Sequence, residues 1–329
     1  MKTKKLFLLV TLLAMVQGAW ATDVANETDL RSAMTNGTTI KLTGDITLAN
    51  GHLGIGDGIT VTLDLNGHTL SRNLDSPNDL GSVIRVEKGG TLTVKDSSGN
   101  NSGKITGGKA TNGGGITNHG TLTFEGGTIT GCSATNGGGI FNAPAAQGDT
   151  PATMTMTGGV IDGCNGKDGG GIHSYKGCQL TITGGTIKNC SSSGSGGGLM
   201  NCGNTTISGG TITGNRAEIH GGGIYCDNYM NMSGNPVITN NKVKSHKENL
   251  YIDEWEQVSV KGAFTEGASI GITPYEMTRQ LVYGFDIYNP GLDPNAVFSS
   301  DIPGYSSYVF DTTRWVLMTP QDPQTYITD

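Results

Sequence analysis

Four large side chains recur at one position of the chain. Phe141, His173, Met200 and Tyr225 each directly follow the Ile or Leu of a Gly-Gly-Gly-Ile/Leu run. If that run opens a strand, alternation turns the Ile or Leu inward and the next residue outward. Stacked in register, the four predict a stripe along which sugar rings or a partner protein could lie. His173 would add pH sensitivity, because an imidazole changes charge between about pH 5 and 8.

Catalytic groups are sparser. Glycoside hydrolysis needs two carboxylates flanking the scissile bond, yet the regular part of the chain offers Glu125, Asp149, Asp162, Asp168 and Glu218. Asp162 aligns with Thr130, Lys188 and Thr213, so no second acid stacks on it. His52, His68, His119, His173, His220 and His246 are scattered. Metal ligation needs donors meeting at one point, so surface histidines and no metal or other cofactor are expected. The Gly clusters precede no Lys-bearing helix and do not resemble phosphate cradles.

All six cysteines fall between residues 132 and 226. Cys132, Cys164 and Cys190 share a repeat position with Asn215 and Asn241, which predicts one inward column of small hydrophobes and turn-bonding amides. Cys178 and Cys202 fall in one turn of neighbouring repeats and could form a disulfide. Cys226 is left beside the Asn118, Asn142, Ser174 and Asn201 column. No cysteine has a His-Asn arrangement that would make it a nucleophile. A rank of Thr123, Thr155, Thr181 and Thr206 has the general look of an ice-binding face, but threonine is also the ordinary exposed strand residue.

The elements that must hold these groups are repeats. Gly-Gly-Gly-Ile/Leu occurs at 113–116, 137–140, 169–172, 196–199 and 221–224, at spacings of 24, 32, 27 and 25 residues. Gly-Gly-x-Ile lies between them at 126–129, 158–161, 184–187 and 209–212, each time after a short alternating segment such as Leu122-Thr-Phe124. One repeat thus holds three extended segments, none able to bury its apolar side alone. Stacking solves that problem. Residues 103–223 contain 35 glycines in 121 positions, and each would cost a helix roughly 1 kcal/mol, so helical repeats are excluded. The fold class expected is all-β: a right-handed parallel β-helix with a short N-terminal capping helix and an irregular C-terminal cap. The long 32-residue spacing implies an outward loop at 143–150.

The ends divide as follows. Residues 1–21 read as a signal peptide, with Lys2, Lys4 and Lys5 before an apolar stretch and Ala19-Trp20-Ala21 as the cleavage site. Residues 22–37 form an N-terminal cap, with Thr28 and Asp29 as capping side chains. The β-helix spans 38–272, and 273–329 is a C-terminal cap or tail, where most of the ten prolines lie nearby. Without the leader the chain holds 18 basic and 28 acidic residues. That charge argues against nucleic acid as partner, and no later segment is long enough to insert in a membrane.

The stretch TLDLNGHTL at 62–70, the GGTIT and GGGIxN units and GASIGIT at 267–273 resemble secreted bacterial right-handed parallel β-helix repeat proteins of the pectin-lyase-like superfamily. The GGGIxN units also resemble, more loosely, repeats of outer-membrane adhesins. The resemblance implies an exported protein in the extracellular space, cell surface or periplasm. With the Asp pairs and Gly-His-Gly segment of the enzymes absent from the coils, it implies a non-enzymatic binding or adhesion module for glycans or host proteins. The alternative is a polysaccharide lyase or hydrolase with its acids in the irregular ends.

Overall fold

The chain winds as a right-handed parallel β-helix. The computed structural model describes residues 21–275 and 281–303 in full, and the backbone of Ser306–Asp311 and Arg314–Met318. The leader expected at 1–21 therefore lies almost wholly outside the described residues.

Each regular coil contains four strands, one more than expected. The coil beginning at Thr121 shows them in order: Thr121–Phe124, Thr128–Thr130, Ser133–Asn136 and Ile140–Asn142. Every strand pairs in parallel with its counterpart one coil on, as when Leu122 meets Met154 and Ile140 meets Ile172. The unexpected strand is polar and only partly buried (Ser133–Asn136, Asn165–Asp168), so it carries no hydrophobic alternation to betray it. From Thr22–Val24 to Val282–Tyr283, ten successive parallel pairings run up the threonine-bearing face. At about 4.8 Å per coil the stack is roughly 48 Å long.

The interior is packed mainly with apolar side chains. Ile116, Leu122, Phe124, Ile129, Ile140, Ile161, Ile172, Ile182, Ile187, Leu199, Ile207, Ile212 and Ile224 are all fully buried, as alternation requires. The Gly triplets make the tight corner. Gly137 has φ +63°, a left-handed conformation that suits Gly. A Cβ on Gly139 would stand 2.6 Å from the Gly171 carbonyl oxygen and 2.9 Å from Ile161 Cγ2, so no side chain fits between stacked coils there.

Both ends are closed. Helix α1 (Glu27–Ala33) buries Leu30 over the first coil. Its N-cap is Asn26, whose Oδ1 accepts from Asp29 N at 2.9 Å, rather than Thr28 or Asp29. Glu27 accepts from the amides of Ala49 and Asn50, and Arg31 donates to the carbonyls of Asn50, Gly51 and His52. Ahead of the helix, Thr22–Val24 is a strand of the solenoid. At the other end, stacking persists past residue 272: Phe298–Ser300 pairs in parallel with Ser269–Pro274. Phe264, Phe285 and Phe298 form an aromatic plug there, with ring centroids 5.5–6.0 Å apart. Burying these rings keeps the chain in register beyond the Gly-rich repeats.

Candidate binding surface

The large-residue column is real in register. Thr117, Phe141, His173, Met200 and Tyr225 are successive pairing partners, and the column extends to Arg85 at one end and Tyr251 at the other. Neither extension stands behind a Gly triplet, which hid both from repeat counting.

Exposure departs from expectation. Phe141 is only 7% exposed and His173 only 8%. Alternation points them away from the core, but the connection at 143–152 and Tyr175 stand over them. Phe141 packs edge-on against the His173 ring at 5.4 Å, and Tyr175 lies 6.3 Å from each. Met200 and Tyr225 are half-buried. The four are therefore one contiguous column but not one open stripe.

Burial decides the charge state of the histidines here. It pushes His173 down to about 4, and its Nδ1 has no hydrogen-bond partner, so the ring is neutral at physiological pH. The expected titration between pH 5 and 8 does not hold for this residue. His119 is likewise buried rather than superficial; burial lowers its pKa, and its Nδ1 lies 2.9 Å from the Ala143 carbonyl oxygen.

The overhanging loop creates a cleft of about 570 Å³. Phe141 and Tyr175 supply its aromatic surfaces, and Asn112, His119, Gln147 and Lys176 its polar rim. The loop is tied across the molecule by Lys88 Nζ, which donates to Asp149 Oδ1 at 2.5 Å and holds that carboxyl below its usual range. Beneath the surface, Asn118 Nδ2 donates to Asn142 Oδ1 at 2.7 Å, and Asn142 Nδ2 to Ser174 Oγ at 3.4 Å. This internal ladder fixes the strand ends from which the cleft residues project.

Farther along the column, Tyr225 and Tyr251 stack at 5.6 Å with planes 9° apart, and His220 lies on Tyr251 at 4.2 Å. The Tyr225 hydroxyl donates to Asp253, and burial pushes the Tyr251 phenol up to about 12. His220 Nδ1 is 3.6 Å from Glu248.

The expected Cys178–Cys202 bridge is not formed; both are free thiols. Cys202 follows Asn201, the partner of Ser174, and so sits over Tyr175. Cys178 precedes Gln179, the partner of Asn204, and so faces Gly203. The turn at 175–178 is two residues longer than that at 202–203, which offsets the thiols. Cys132, Cys164 and Cys190 do form the inward column with Asn215 and Asn241, and Asn201 does pair with Cys226. Asp162 stands between Thr130 and Lys188 and pairs with Lys188 at 3.4 Å. Among the described residues, no three His, Cys, Asp or Glu side chains come together as metal ligands. The threonine rank is longer than expected, running through Thr39, Thr62, Thr93, Thr123, Thr155, Thr181 and Thr206.

No protein-family model, curated protein or solved structure matches the chain.

Proposed function

We propose that this chain is an exported, non-enzymatic β-solenoid serving as a surface or extracellular binding and adhesion module for glycans or host proteins. The observation that carries this reading is the roofed position of Phe141. A large apolar ring, where the neighbouring coil uses Thr117, forms one side of a cleft whose volume of about 570 Å³ is within the usual range for small-ligand sites. Tyr175 offers a second ring, and Asn112, Gln147 and Lys176 offer directional hydrogen bonds. Aromatic surface with a few polar groups suits a sugar, which has apolar faces and a hydroxyl rim. The resemblance of the repeat motifs to those of pectin-lyase-like β-helices favours a carbohydrate setting. No described helix is long and apolar enough to cross a membrane.

The test is an array of glycans and extracellular-matrix proteins probed with the wild-type chain and with a variant lacking residues 145–149. Binding that disappears on trimming the loop supports the cleft. Equal binding by both chains removes it as the site. New reducing ends or unsaturated products released from a bound polysaccharide would replace the reading with a hydrolase or lyase.

A further inference from the structure

One corner of the solenoid lies just past the large-residue column. Its first position in successive coils is Tyr175, Cys202, Asp227, Asp253 and Tyr275. The amides of Cys202, Asp227, Asp253 and Tyr275 donate to Ser174, Asn201, Cys226 and Ile252, so these five positions are stacked. At about 4.8 Å per coil they span roughly 19 Å. The same turns carry Tyr229 and Trp255.

This corner collects exposed aromatic rings: Tyr175 is 49% exposed, Tyr229 62%, Trp255 80% and Tyr275 51%. Trp255 also has φ +72°, a conformation that bulky L residues rarely adopt and that surrounding structure must enforce. The platform beneath is built of stacked rings. Tyr225 and Tyr251 stack directly behind the corner, and the Tyr225 hydroxyl ties Asp253 in place. Charge along the corner is mixed at its first turn, where Lys176 follows Tyr175, and acidic farther on. The turns at 227–229 and 253–257 contain Asp227, Asp253, Glu254 and Glu256 and no Lys or Arg.

We propose that this corner is an extended binding ridge for a linear, amine-bearing glycan, a proposal that rests on the chain being a binding module. Rings along a line give sequence-independent stacking surfaces for a polymer of rings. Cations attract both the carboxylates and the aromatic faces. A peptide adding as a strand needs an open backbone edge. Here the corner amides already donate to the preceding coil, which favours the glycan over a basic peptide.

The experiment measures affinity by calorimetry for a glucosamine hexamer, its fully N-acetylated counterpart and hexalysine, at low and high salt. Wild type should bind the amine hexamer best, and more weakly at high salt. Trp255→Ala should weaken that binding at least tenfold with an unchanged melting temperature, and Tyr229→Ala should act in the same direction. Glu254→Gln should weaken it a few-fold and flatten the salt dependence. The proposal is overturned if the amine hexamer does not bind, if Trp255→Ala binds as wild type, or if the acetylated hexamer or hexalysine binds as tightly. Loss of glycan binding in the 145–149 deletion, with full binding in the ridge variants, also overturns the ridge while leaving the cleft. Failure of wild type to bind any arrayed glycan or protein defeats the binding-module reading itself.

Discussion

Asn249 is clamped by Asp301, 52 residues away: its amide N donates to Oδ2 and its Nδ2 to Oδ1, both at 2.6 Å. This pair ends an internal spine. The amide of Cys190 donates to Asn215 Oδ1, that of Asn215 to Asn241 Oδ1, and that of Asn241 to Asn249 Oδ1. The C-terminal segment thus does more than cover the last coil; it supplies the final acceptor of a hydrogen-bonded column running through the core.

Asp301→Ala should therefore destabilise the fold by about 2–4 kcal/mol, because two buried donors of Asn249 lose their acceptors. Urea unfolding measures this, and a change within error would show the clamp to be dispensable.

Asp301 also makes a pH prediction. Burial raises its pKa above the usual aspartate value against the pull of its hydrogen bonds. The native state then holds the proton more tightly than the unfolded chain. Its contribution is fully present below the unfolded pKa near 4 and is lost as pH rises through the folded value. Asp301→Asn should remove that slope from a stability–pH curve; an unchanged slope would assign it to other carboxyls.

The repeating interior was readable because stacking forces one residue class onto one position. Ile129, Ile161, Ile187 and Ile212 each follow a Gly-Gly pair, and all are buried. The candidate surface was readable only in register. Alternation placed Phe141 in register with Thr117 and His173, but what folds back over it depends on the 143–152 connection, which has no counterpart in neighbouring coils. Tyr251 escaped notice because Lys247-Glu248-Asn249 stands where a Gly triplet would precede Leu250. The Cys178–Cys202 pairing failed on turn length, since position in a repeat fixes strand partners but not residues within unequal turns.

Register gives a test of modularity. Residues 184–208 form one full coil, with Thr186 over Thr211 and Ile182 over Ile207. Removing them leaves Thr183 followed by Gly209, the same step as Thr183 to Gly184, and two matching faces. Ile187→Asp instead buries an unpaired carboxylate, at a cost of several kcal/mol. The deletion should melt closer to wild type than the point variant does. The reverse order would mean the coils do not exchange as units.

All six thiols should remain reduced in purified protein. Five are buried, and burial pushes half-buried Cys202 up to about 12, leaving little thiolate at neutral pH. Native protein should react slowly with a thiol reagent, at Cys202 first, and all six should react after unfolding. A Cys178–Cys202 cross-linked peptide in a non-reducing digest would contradict the register of these turns.

His173 makes the opposite pH prediction to Asp301. Its folded pKa of about 4 lies below the unfolded value near 6.5, because burial among Phe141, Tyr175 and the loop penalises the imidazolium. Between those values the unfolded chain binds the extra proton, so its contribution to stability falls as pH drops from about 6.5 to 4. The full effect is on the order of 3 kcal/mol for a shift of this size. His173→Met, using the residue that occupies the same column one coil on, should flatten that acid limb and leave stability near pH 7 little changed. Denaturant titrations of both proteins across pH 4–7 provide the comparison. Parallel curves would show that His173 is already protonated in the native state, and the covered interior of the column would then have to admit water.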